Sequence, residues 1–166
     1  MNIMSETRLP GSVLDVLLNH PDFREGDVWH CRQFPPNTTL FSEGETGREV
    51  YLILSGSVRV LGHVDLDDTR CIRPGFSDLT QGEVFGELAL FDNQPRSATV
   101  MTVTACDLAL VNGEELMRFL DTHPELGYPL FSDLILILVR RLRAANQKNF
   151  ALFAWGLKAR GIDKFL

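Results

Sequence analysis

The chain has 166 residues, 45% of them hydrophobic and 23% charged. This balance suits one globular domain with short appendages and excludes an intrinsically disordered chain. The net charge of −6 argues against binding of a nucleic-acid backbone by the chain as a whole.

Residues 1–11 contain no apolar segment of signal-peptide type. Residues 134–139, the longest apolar run, are too few to cross a bilayer. A cytoplasmic location is therefore expected. Residues 12–20 predict a short helix, with Ser12 as its N-cap and Val13, Leu14, Val16, Leu17 and Leu18 as its apolar content. From residue 28 to 111 the texture changes to short β-type runs, at 38–41, 50–54, 57–64, 71–72, 97–104 and 106–111, separated by turn residues. Ser55-Gly56 between two of these runs suggests a β-hairpin. Such a series of strands reads as a sandwich or jelly roll.

Asn112 predicts a helix cap, followed by Leu116, Phe119 and Leu120 at helical spacing and ended at His123-Pro124. A longer helix is expected over about 129–149, with Leu134, Leu138, Leu142 and Ala145 on one stripe and Leu136, Ile137 and Val139 off it. That is more apolar surface than packing on one side requires. Charge is divided along the chain: residues 140–166 carry +6 and the remainder −12, which reads as solvated charge, or as an acidic body complementing a basic helix. Cys31, Cys71 and Cys106 are widely spaced and odd in number, fit neither a disulfide framework nor a C-x-x-C site, and are read as reduced, buried thiols.

The informative stretch is QGEVFGELALFDNQPRSATV, residues 81–100. A short helix opening at Gly86 would turn its first N–H groups outward, where they attract anions. Gly86 admits a ligand close to the backbone. Arg96 can pair bidentately with a phosphate, and Ser97 adds a donor. Glu87 beside a phosphate would repel it, by about 1 kcal/mol in water at contact. It becomes intelligible if it accepts a hydrogen bond from a sugar hydroxyl while Arg96 balances both negative charges. The bland alternative is an exposed Glu87–Arg96 ion pair of small energetic value.

This stretch resembles the phosphate-binding cassette of cyclic nucleotide-binding domains, which are shared by bacterial catabolite activator proteins, protein kinase A regulatory subunits and cyclic-nucleotide-gated channels. Phe34-Pro35-Pro36-Asn37-Thr38, Phe41-x-Glu43-Gly44-Glu45 and Tyr51-Leu52-Ile53-Leu54-x-Gly56-x-Val58 carry the resemblance over about residues 28–147. It implies an α+β fold: an eight-stranded antiparallel β-roll (jelly roll) flanked by N-terminal and C-terminal helices. The expected divisions are an N-terminal helical segment at 1–27, a ligand domain with its long helix at 28–150, and an apolar, basic tail at 151–166.

By the same resemblance, Glu87 would bind the ribose 2′-hydroxyl. Arg96 would bind the phosphate, with Ser97 and the backbone around Gly86, Leu88 and Ala89 assisting, and Asn146 would lie near the adenine. Ser97, rather than Thr, favours cyclic AMP over cyclic GMP. The implied protein is a non-catalytic regulatory module with no cofactor, forming a homodimer through its C-terminal helix and acting on a downstream protein. No helix-turn-helix is expected after the long helix, so DNA binding by this chain alone is not expected. A ligand-free scaffold of the same fold is one alternative. A cupin-like metalloenzyme is another, but His20, His30, His63 and His123 contain no H-x-H pair, and no metal site is expected.

Overall fold

A computed structural model of the chain describes residues 13–62, 64–67, 70–72, 75–92 and 94–159. The chain divides into two compact units that meet in sequence at Gly127 and Tyr128. In the first unit, α1 (Val13–Leu18) buries Leu14, Leu17 and Leu18, and Ser12, the expected cap, lies outside the described residues. The strands are β1 (Trp29–Phe34), β2 (Thr39–Phe41), β3 (Glu49–Ser55), β4 (Ser57–Leu61), β5 (Val64–Asp67), β6 (Arg70–Ile72), β7 (Gly75–Thr80), β8 (Val84–Phe85), β9 (Thr99–Thr102) and β10 (Cys106–Asn112).

Eight of these strands form two four-stranded antiparallel sheets, ordered β1-β10-β3-β8 and β2-β9-β4-β7. The β5-β6 pair makes a separate two-stranded ribbon. This is the expected eight-stranded roll with one added hairpin. Between the sheets lies a core that includes Phe41, Tyr51, Ile53, Val58, Phe85 and Leu108.

The hairpin expected at Ser55-Gly56 is not formed. β3 and β4 belong to different sheets, with β10 and β8 flanking β3 and β9 and β7 flanking β4. The turn is a corner that carries the chain from one layer to the other. Gly56 has φ +85°, and a Cβ there would lie 2.2 Å from the Ala105 carbonyl oxygen, so both conformation and space require glycine. Alternation of residue type marked the strands, but their partners depend on register between distant segments.

Helix α2 (Gly113–Thr122) is capped as expected: the Asn112 side-chain oxygen accepts from the Glu114 and Glu115 amides at 3.0 and 3.1 Å. The second unit consists of most of α3 (Pro124–Ala159). The expected helix over 129–149 is thus too short at both ends. Pro124 suits the first helical turn, where an amide has no intrahelical partner. Pro129 removes only the bond to the carbonyl of exposed Glu125, which water can satisfy. Residues 151–159, expected as tail, continue the helix, which is about 54 Å long at 1.5 Å per residue. Ile135, Leu136, Leu142, Phe150, Leu152 and Trp155 are all more than half exposed on it. Among the described residues no helix is long and apolar enough to cross a membrane.

Candidate functional site

The site grows from one turn. After β8 the backbone at Gly86 takes φ 75° and ψ 8°, a left-handed conformation that opens a 3-10 helix over Glu87–Leu90. A Cβ on Gly86 would lie 2.9 Å from Arg96 Nη1 and 3.0 Å from the Glu49 carbonyl oxygen. Glycine lets the turn and the arginine share this space.

Arg96 reaches back across the turn. Its Nη1 donates to the Gly86 carbonyl at 3.2 Å, and Nη2 donates to the Glu49 carbonyl at 2.9 Å. The guanidinium carbon stands 4.3 Å from the centroid of the Phe41 ring and 5.9 Å from that of Tyr51. Tyr51 in turn stacks on Phe85, with centroids 4.8 Å apart. A cation resting on such an aromatic wall is held by the ring quadrupoles. Burial is the main cause that pushes the Tyr51 phenol above its usual pKa, and Glu49 adds to it while Arg96 and Arg32 pull the other way.

Glu87 and Arg96 are only 3% and 7% exposed, which rules out the exposed ion-pair reading. Two buried ionisable side chains beside a left-handed glycine are costly to keep unless they have work to do. The carboxylate found at hydrogen-bond distance from Arg96 is that of Glu49, with Oε2 3.3 Å from Nη2. The sequence reading missed Glu49, since nothing local links it to a residue 47 positions away. The only available signal is its place at the head of β3, a strand paired with β8.

One donor stands out. Arg96 Nε is buried and has no hydrogen-bond partner among the described residues. Buried donors are nearly always paired, so this one fits an arginine built to receive an acceptor. Ser97 is exposed beside it, as is Leu88, while Ala89 is partly buried. Gly86, Glu87, Leu88, Ala89, Arg96 and Ser97 all belong to the first unit. Asn146 is exposed on α3, in the second.

The loop preceding β3 is fixed to the same arginine by main-chain bonds. The Gly44 amide donates to the Arg96 carbonyl at 2.9 Å, and the Arg96 amide donates to the Glu45 carbonyl at 2.8 Å.

The sequence model of the cyclic nucleotide-binding domain family matches residues 31–123, which include the whole of this arrangement. The chain belongs to that family. The cAMP-activated global transcriptional regulator CRP of Salmonella typhimurium is 32% identical over 120 residues, covering 72% of this chain and 53% of the relative. The chain thus spans about half of that relative's length. Among solved structures, the catabolite activator protein of Thermus thermophilus superimposes with a TM-score of 0.64 at 26% identity, over 84% of this chain and 58% of that one. The c-di-GMP-responsive global regulator CLP of Xanthomonas campestris does so with a TM-score of 0.64 at 26% identity, over 82% and 61%. The β-roll and its flanking helices are therefore those of a cyclic nucleotide-binding domain.

Proposed function

We propose that this protein binds cyclic AMP beside Arg96 and acts as a non-catalytic regulatory module. The observation that carries the reading is the buried guanidinium with an unpartnered Nε–H, next to a buried Glu87. Arg96 offers the exocyclic phosphate a charge-assisted pair of donors, with Ser97 and the amides of Leu88 and Ala89 adding to it. Gly86 leaves room for close approach. Glu87 accepts from the ribose 2′-hydroxyl, and Arg96 balances both negative groups.

Asn146 is our assignment for the adenine edge, to which an amide can both donate and accept. Ser97 is the basis for preferring cyclic AMP over cyclic GMP. That CRP of Salmonella typhimurium is cAMP-activated supports the same choice. The ligand domain is assigned to residues 28–150, between a helical segment at 1–27 and the stretch 151–166.

The exposed apolar residues of α3 support a homodimer in which this helix packs on its own copy. Output then passes to a downstream protein in the cytoplasm, without DNA binding or catalysis by this chain and without a cofactor.

Calorimetric titration with cyclic AMP, cyclic GMP and cyclic di-GMP tests the reading. Cyclic AMP should saturate at one equivalent per chain and bind most tightly. Tighter binding of either competitor overturns the ligand choice, and binding of none of the three favours a scaffold.

A further inference from the structure

His20, Asp22 and His123 meet on the first unit, away in sequence from every residue assigned above. One ligand atom from each lies within 4.8 Å of the other two. His20 and His123 are 103 positions apart in sequence, which explains why ligand spacing gave no sign of them.

The packing that brings them together is aromatic. Phe119, projecting from α2, stacks on His123 with centroids 4.2 Å apart, meets His20 edge-on at 5.3 Å and Phe23 at 4.9 Å. The two imidazoles are 5.0 Å apart. Each precedes a proline, Pro21 or Pro124, which biases its backbone away from the helical region and limits where its ring can point.

The hydrogen bonds determine what these rings present. His123 Nδ1 lies 3.1 Å from the Phe119 carbonyl and 3.0 Å from Thr122 Oγ1. Thr122 Oγ1 itself donates to the Phe119 carbonyl at 2.8 Å. A carbonyl can only accept, so this contact suits the tautomer with the proton on Nδ1, which leaves the lone pair on Nε2. That Nε2 faces Asp22 Oδ2 at 3.8 Å. With the lone pair on Nε2 the two facing atoms are both acceptors, an arrangement that a cation can bridge. His20 Nδ1 accepts from the Asp22 amide through a long bond of 3.3 Å, which an ion would have to displace to use that lone pair.

We infer that His20, Asp22 and His123 form a binding site for a divalent transition-metal ion, with Zn²⁺ the best match. Two imidazoles and a carboxylate, with water in the fourth position, are a donor set that Zn²⁺ accepts at about 2.0–2.2 Å. Ligand atoms in such a tetrahedron are roughly 3.3 Å apart, so the three side chains close by about 1 Å or less around the ion. Backbone anchoring of the remaining nitrogen, as at His123 Nδ1, is the outer-shell support that orients metal-bound histidines. The bound ion would tie residues 20–22 to the C-terminal end of α2.

The test is a Co²⁺ titration of the full chain after stripping with EDTA, followed by visible absorption and then by displacement with Zn²⁺. The expected result is one Co²⁺ per chain with a tetrahedral spectrum, no thiolate charge-transfer band, and loss of the signal when Zn²⁺ is added. His20→Gln and His123→Gln should each weaken binding by at least roughly tenfold, a loss that even outer-shell changes can cause. If the histidine variants do not fold, exposed Asp22→Asn decides, and it too should weaken binding tenfold or more. Absence of metal uptake by the unaltered chain overturns the site. Retention of full affinity in the variants, or a thiolate band, overturns it as well.

Discussion

Replacing Arg96 by Ala separates the arginine's contribution to folding from its contribution to binding. The change removes donors from the Gly86 and Glu49 carbonyls and a cation from the face of Phe41. Each hydrogen bond from a charged donor contributes about 1.5–3 kcal/mol, and the ring contact about 1 kcal/mol. The Glu49 ion pair adds little, because that side chain is 49% exposed and its charge is solvated. Against this, the variant no longer buries a charge with one unpartnered N–H, which returns several kcal/mol. The net loss of folding stability is therefore about 2 kcal/mol, tolerable within a total of about 5–15 kcal/mol. Binding should suffer more. A buried phosphate left without its countercharge costs about 3–5 kcal/mol, which at about 1.4 kcal/mol per tenfold exceeds a hundredfold in Kd. Urea unfolding without nucleotide and calorimetry with cyclic AMP measure the two effects. A folded Arg96→Ala protein that binds within tenfold of the parent would refute the placement of the site.

Glu49→Gln keeps an acceptor for Arg96 but removes a charge that competes with an incoming phosphate, so cyclic AMP should bind a few-fold tighter, by about 0.5–1 kcal/mol; weaker binding in calorimetry would mean that the carboxylate assists the ligand. Asn112→Ala removes the acceptor for two α2 amides and should lower stability by about 1 kcal/mol in urea, with no change in nucleotide affinity. Burial, then Asp107 and Glu25, push the Cys31 thiol above its usual pKa. At neutral pH the folded protein therefore holds less thiolate than the unfolded chain. Iodoacetamide should label Cys31 more slowly in the native protein, with the difference closing as pH rises through the folded pKa; equal rates at neutral pH would contradict this environment.

Most of the fold was legible because it is written locally. Apolar runs between turn residues marked the strands, and Asn112 before Glu114 and Glu115 marked a helix start. The cassette residues Gly86, Glu87 and Arg96 were legible for a related reason: their chemistry is unusual and lies within eleven positions. What escaped depends on contacts between distant segments. The Ser55-Gly56 turn looks like any tight hairpin in sequence, and only the pairing of β3 with β10 and of β4 with β9 makes it a corner. Pro129 suggested a helix start, although solvent near the N-terminus of α3 tolerates the missing bond. Glu49 and the His20–Asp22–His123 group carry no spacing signal, because topology alone assembles them.

The grip on Arg96 also has a consequence for chain length. Its main chain is bonded to Gly44 and Glu45, and its guanidinium to Glu49, so one residue clasps a six-residue frame at both ends. Adding or deleting a residue between positions 45 and 49 would put one end of the frame out of reach. The stretch around Phe91, Asp92 and Gln94 is exposed, and the amides of Phe91 and Asp92 bond to the nearby Leu88 carbonyl. Variation in length among natural or engineered versions of this protein should therefore accumulate there and avoid the frame.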